Sequence, residues 1–164
     1  MNNRGYSCYS IACPLLPLAG WVLLCLAASG TAVFVSTDGW YEALEKPALN
    51  PPAWLFAPVW TTLYIMMGLS AWLVWRKGGW KIQGRPLGWF LLQMALNAIW
   101  TPVFFGLHWI GPAFVEISIL WMVLLWTIVL FFRTGILAGL LLVPYFLWVS
   151  FAAYLNFALW RLNA

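Results

Sequence analysis

Apolar residues run through this chain in stretches long enough to cross a lipid bilayer, and that property decides most of what it can fold into. Crossing ~30 Å of hydrocarbon takes about 20 predominantly apolar residues in a helix. Five stretches qualify, at 15–36, 53–75, 87–107, 112–132 and 136–160. In lipid, a helix satisfies its own backbone hydrogen bonds, which an open strand cannot do. The expected fold is an all-α integral membrane protein, with one domain over 1–164 and a structured loop at 37–52. Three of the connections are very short, so successive helices must run antiparallel. A five-transmembrane-helix bundle follows.

The charge count agrees. Of 164 residues, 65% are hydrophobic and 7% charged, with eight basic and four acidic side chains. Soluble domains carry ~25% charged residues. So few charges cannot cover a soluble surface, which excludes an ordinary soluble domain, a disordered chain and a nucleic-acid binder. The distribution of cations orients the bundle. Arg4, Arg76, Lys77, Lys81, Arg85 and Arg133 fall on one side, and Lys46 and Arg161 on the other. The N-terminus is therefore expected in the cytoplasm, with the first loop and the C-terminus outside. The first 30 residues have the pattern of a secretory signal, but apolar residues continue through Val33, Phe34 and Val35, so an uncleaved helix is expected. Cys8, Cys13 and Cys25 have no metal-ligand spacing and read as small apolar residues.

Membrane burial does not account for 14 tryptophans. Loop 37–52 carries Trp40, Tyr41, Leu44 and Leu49, stiffened by Pro47, Pro51 and Pro52. Such a loop suits a lid over one mouth of the bundle. Pro58 is expected to kink the start of the second span. Trp60 and Tyr64 share a face of that span, continued by Met67 and Gly68. In the third span Gln93, Asn97, Trp100 and Thr101 share a face, and Pro102 is expected to bend it. Amides in hydrocarbon must find partners, so these either staple helices together or line a polar spot in a cavity. In the last span Tyr145, Trp148, Ala152 and Asn156 form a face suited to a flat hydrophobic ligand. Glu116 is the only acid inside a span and is expected near headgroup water rather than as a buried proton relay. His108 has no titratable neighbour in sequence, and no catalytic role is assigned to it. Gly135 and Gly139 form a GxxxG too near a helix start to argue for dimerisation. No nucleophile elbow, phosphate loop, carboxylate pair or metal cluster is present.

The chain resembles the TspO/MBR family of tryptophan-rich sensory proteins and translocator proteins. The resemblance rests on Trp40-Tyr-Glu-Ala-Leu-Glu-Lys-Pro47, Asn50-Pro-Pro-Ala-Trp54, Val59-Trp-Thr-Thr-Leu-Tyr64, Asn97-Ala-Ile-Trp-Thr-Pro-Val-Phe-Phe-Gly106, Val143-Pro-Tyr-Phe-Leu-Trp148 and Leu155-Asn-Phe-Ala-Leu-Trp-Arg-Leu-Asn163. These lie in order and at family spacing, while residues 1–35 match only as a first hydrophobic helix. Membership implies a five-helix membrane protein, commonly a homodimer, that binds porphyrins and in some members cholesterol or isoquinoline and benzodiazepine drugs. It places the ligand between the helices under the first loop, at Trp40, Tyr41, Pro51, Trp60, Asn97, Trp100, Tyr145, Trp148 and Ala152. Trp60 and Trp148 would flank the porphyrin, and they match tryptophans that some bacterial members use in light-dependent porphyrin breakdown. At the position of Ala152 a larger residue alters ligand binding. Phe157, followed by Arg161, stands where the cholesterol motif needs tyrosine, which argues for a bacterial-type porphyrin binder in a bacterial membrane.

With no His or Cys on those faces, the expected ligand is a protoporphyrin IX-like ring without an axial protein ligand, and no cofactor is obligatory. The function expected is a sensor or regulator of tetrapyrrole handling and stress. The rivals are a light-dependent porphyrin-degrading enzyme, with Trp60 and Trp148 as its redox-active residues, and a passive porphyrin or lipid transporter.

Overall fold

A computed structural model describes residues 12–28, 30 and 39–163. The N-terminal cation Arg4, most of the first span beyond Ala28, and the start of the first loop lie outside the described residues. The described residues form helices and short connections, with no strand among them. Helix α1 covers Ala12–Ala28, α2 Trp40–Ala43, α3 Phe56–Trp75, α4 Gly79–Thr101, α5 Ile110–Thr134 and α6 Ile136–Asn163. Among the described residues, four segments are long and apolar enough to cross a membrane: Ala53–Trp75, Gly79–Gly106, Ile110–Thr134 and Ile136–Asn163. The 17 described residues of α1 reach about 25 Å at 1.5 Å per residue, short of a full crossing.

The breaks follow the prolines and glycines. Gly39, at φ 71°, starts α2, whose single turn closes through a hydrogen bond from Ala43 N to Gly39 O. A 3-10 turn at Ala53–Leu55 leads into α3, so Pro58 sits in the first turn, where no backbone N–H is needed. The expected irregularity there is taken up by the turn before it. Helix α4 begins eight residues ahead of the expected position 87. Gly78 and Gly79, at φ 125° and 58°, turn the chain sharply, and a helical turn carrying Lys81 forms where a connection was expected. That turn is offset from the rest of α4 at Gln83 (φ −104°, ψ 18°), just ahead of Pro86. Proline lacks the N–H that would continue the ladder, and its ring crowds the carbonyl four residues back. At the other end Pro102 opens the span into a π-helical turn over Pro102–Gly106, closed by Leu107 N to Pro102 O at 2.9 Å.

Helix α5 packs against α4 and α6, and α3 against α1 and α6. Lipid tails are as apolar as leucine, so these contacts are held by close fit and interhelical hydrogen bonds rather than by expulsion of water. At Gly68 a Cβ would lie 2.6 Å from Val22 Cα, so only glycine lets α1 approach α3 there. Gly139 makes room for the Phe132 ring, 2.4 Å from where its Cβ would be. The GxxxG therefore serves packing within the chain. Ser70 Oγ donates to Ala138 O (2.6 Å) and Trp121 Nε1 to Ser150 Oγ (2.8 Å), stapling α3 and α5 to α6.

Candidate functional site

Between α3, α4, α5 and α6, and beneath the loop that carries α2, lies a cavity of about 910 Å³. Its walls are aromatic. Trp60 stacks on Tyr64 (centroids 5.4 Å, 27°) and meets Trp148 edge-on (6.5 Å, 88°). Phe56 packs edge-on against Trp148 from the start of α3 (5.8 Å). On α4, Trp100 stacks on Phe104 at 5.0 Å, and Phe105 is presented by the π-helical turn.

The polar groups of this region are tied to one another. Tyr64 Oη donates to Asn97 Oδ1 (2.7 Å), and Asn97 Nδ2 donates to Tyr145 Oη (3.1 Å). One amide on α4 thus links α3 and α6. A turn nearer the loop, Trp100 Nε1 donates to Asn156 Oδ1 (3.1 Å), while Asn156 Nδ2 donates to Ile110 O (2.9 Å). The two roles open to Asn97 in the sequence are therefore combined: it staples helices and also lines the cavity.

The loop is fastened at several points. Asn163, in the last turn of α6, receives Glu45 N on Oδ1 and donates from Nδ2 to Glu45 O, both at 3.0 Å. Trp40 stacks on His108 (4.2 Å, 15°) and meets Phe104 edge-on (5.8 Å). Tyr41 Oη donates to Asn50 Oδ1 (3.0 Å), its ring contacts Phe105, and Lys46 Nζ lies 5.1 Å from its centroid. Burial raises the Tyr41 phenol above its ordinary value, opposed in part by the bond to Asn50.

Seven expected ligand positions line the cavity: Tyr41, Pro51, Trp60, Asn97, Trp100, Trp148 and Ala152. Trp40 and Tyr145 are not among its lining residues. Trp40 packs behind the wall against Phe104 and His108, and Tyr145 is fully buried behind Asn97. Lining residues outside the expected set include Phe56, Tyr64, Phe104, Phe105 and Asn156. Tyr64 and Asn156 already shared faces with expected positions. Phe104 and Phe105 reach the cavity through a π-helical turn whose only sequence signal is Pro102. His108, given no role from sequence, carries the stacking surface for Trp40.

Two polar residues depart from expectation. The half-buried Glu116 turns its carboxylate inward: both oxygens are buried, with no hydrogen-bond partner among the described residues. It lies one turn into α5, on the side that carries Ala113 and Ile117 into the core. Gln93 is completely buried, and its amide has no hydrogen-bond partner among the described residues. Neither lines the cavity. No group of three His, Cys, Asp or Glu suited to a metal occurs among the described residues.

The sequence profile of the TspO/MBR family matches residues 15–161. The chain is 40% identical over 149 residues to "Protein CrtK" of Rhodobacter capsulatus, covering 88% of this chain and 91% of that protein. It is 43% identical over 154 residues to "Tryptophan-rich protein TspO" of Chlorobaculum tepidum, covering 91% and 97%. To the "Translocator protein" of Homo sapiens it is 38% identical over 161 residues, covering 93% and 94%.

Proposed function

The chain belongs to the TspO/MBR family, and on that premise we propose that it is a membrane receptor for a porphyrin-type ligand, held in the cavity beneath the first loop. It would act as a sensor or regulator of tetrapyrrole handling. The observation that carries this reading is the aromatic lining: Trp60, Trp100 and Trp148 face a space of about 910 Å³ that Tyr41 and Pro51 border from the loop. Ligand pockets commonly span about 300–1,000 Å³ and are mostly apolar with a few placed polar groups. A broad, flat macrocycle offers π faces to such walls, and each good aromatic contact adds roughly 0.5–1.5 kcal/mol beyond its buried area.

The donor set favours a ring held by contact. Among the described residues no His or Cys lines the cavity, and the Tyr41 and Tyr64 hydroxyls, which could meet an iron, are bonded to Asn50 and Asn97. Asn97 and Asn156 already engage neighbouring side chains, which leaves them as supports for the walls. The protein would work as a five-helix bundle and as a homodimer in a bacterial membrane, with its N-terminus cytoplasmic and the loop outside. No obligatory cofactor is assigned.

Protoporphyrin IX titration of the detergent-purified protein, followed by tryptophan quenching in the dark, tests the reading. Trp60→Ala and Trp148→Ala are each expected to weaken binding by roughly threefold to tenfold with the thermal transition retained. Unchanged binding in both would remove the cavity assignment. A second reading is favoured by the contact of Trp60 with both Tyr64 and Trp148. Adjacent oxidisable rings suit light-dependent breakdown of the bound porphyrin by oxygen. Loss of porphyrin absorbance under light that requires Trp60 and Trp148 would select the enzyme; stable absorbance would select the receptor.

A further inference from the structure

At the end of the bundle away from the loop, the α3–α4 and α5–α6 connections are bound to each other. Lys77 Nζ donates to Thr134 O. Thr134 Oγ1, which donates to Leu130 O at 3.1 Å, also lies 3.4 Å from Gln83 Oε1, and Gln83 Nε2 donates to Lys77 O at 3.4 Å. These bonds hold the C-terminal end of α5, with Arg133, beside the first turns of α4, with Lys81 and Arg85. Five cations therefore share one layer: Arg76, Lys77, Lys81, Arg85 and Arg133. The four acids of the chain are Asp38, Glu42, Glu45 and Glu116, and none falls in either connection.

Two of the five cations are engaged. Lys77 is bonded to the Thr134 carbonyl, and the Arg76 guanidinium lies 4.6 Å from the centre of the Trp72 ring. Lys81, Arg85 and Arg133 are exposed and make no ion pair or hydrogen bond with a described residue. The first turn of α4 exposes Trp80 and Ile82, and Arg133 is followed closely by exposed Ile136 and Leu137. Cations and lipid-facing apolar side chains thus alternate over a few residues of both helices.

We propose that Lys81, Arg85 and Arg133 form a binding site for the phosphodiester headgroup of an anionic phospholipid. A phosphodiester matches a corner of exposed cations with no acid in either connection to compensate them. Acyl chains would run along Trp80, Ile82, Ile136 and Leu137, an apolar surface that a free phosphate ion has no use for. The site is separate from the cavity, none of whose lining residues it shares.

The test uses the full chain in detergent, with phosphatidylglycerol and phosphatidylcholine of matched acyl chains added in competition and retained lipid counted by native mass spectrometry. The wild-type protein is expected to retain phosphatidylglycerol in preference. Each basic residue near an anionic surface contributes about fivefold in affinity, so Lys81→Gln, Arg85→Gln and Arg133→Gln should each lower the preference by that order, and the triple variant should abolish it. Arg161→Gln, a cation at the opposite end, should leave it unchanged. Raised salt should weaken it. Equal retention of both lipids by the wild type, or an undiminished preference in the triple variant, would overturn the proposal. Displacement of phosphatidylglycerol by millimolar inorganic phosphate would also overturn it, by showing a free-anion site. If the triple variant fails to fold, the graded losses in the single variants decide.

Discussion

The two ends of the bundle solve opposite problems with the same helices. At the basic end the helices close on one another. Phe90 stacks on Phe131 at 5.7 Å, both fully buried with Leu87, and Phe132 occupies the space that Gly139 leaves. At the loop end the helices stand apart around a cavity. Bonded amides hold the spacing there: Asn97 between Tyr64 and Tyr145, Asn156 between Trp100 and Ile110, and Asn163 against Glu45. Where helices touch, close fit carries the packing, and bonds such as Ser70 to Ala138 and Lys77 to Thr134 join surfaces already in contact. Directional bonds are needed where they must be held at a distance, because an empty space has no atoms to push against. The end built by fit should therefore fail by unfolding, and the end built by bonds should fail first in ligand binding.

The sharpest break of that contrast is Gly68→Val. Its Cβ would fall 2.6 Å from Val22 Cα, a backbone atom that cannot swing aside. Helix α1 must then separate from α3. The expected outcome is loss of folded protein, or a thermal transition lowered by an overpacking cost of about 1–3 kcal/mol or more. An unchanged transition would show that α1 is not held by this contact. Asn97→Ala comes next. It leaves two buried tyrosine hydroxyls without their partner, and each unsatisfied group costs roughly 1–3 kcal/mol. Because Asn97 serves the cavity as well as the fold, both the thermal transition and porphyrin affinity should fall. A fall in affinity alone would make Asn97 a ligand contact rather than a staple.

How much of this could be read from the sequence follows from the same contrast. Apolar run length places the segments that form α3, α5 and α6, because burial in lipid is a property of composition. Side-chain periodicity brings Trp60 with Tyr64, and Trp148 with Ala152 and Asn156, onto shared faces. The boundaries of α4 were not legible. Its early start depends on positive φ at Gly78 and Gly79, and its far end on the response to Pro102, which spacing could read as a bend but not as a π-helical turn. Pairing across helices was the least visible. Asn163 and Glu45 lie 118 positions apart, and nothing local in either marks the other. The stack of Trp40 on His108 is hidden in the same way.

Smaller effects should be confined to the loop end. Asn163→Ala removes two exposed hydrogen bonds to the Glu45 backbone, whose N–H and C=O can turn to water instead, so the net loss is small. It should leave the thermal transition nearly unchanged while porphyrin dissociates a few-fold faster in stopped flow. Equal dissociation rates would mean that the loop closes without this fastening.

The smallest effect is a pH dependence at Tyr41. Burial raises its phenol above the ordinary value of 10.0, so the loop in its docked position favours the neutral form. The contribution of this group is then fully present below pH about 10 and is lost as pH rises from there towards the raised value. Porphyrin dissociation should therefore be flat with respect to this group through neutral pH and accelerate on the alkaline side. Tyr41→Phe removes the ionising group along with its bond to Asn50. It should give slightly faster dissociation at neutral pH and no acceleration attributable to this group above pH about 10. An alkaline acceleration that persists in Tyr41→Phe would assign the ionisation elsewhere, and would leave the loop held by Trp40 and Asn163 alone.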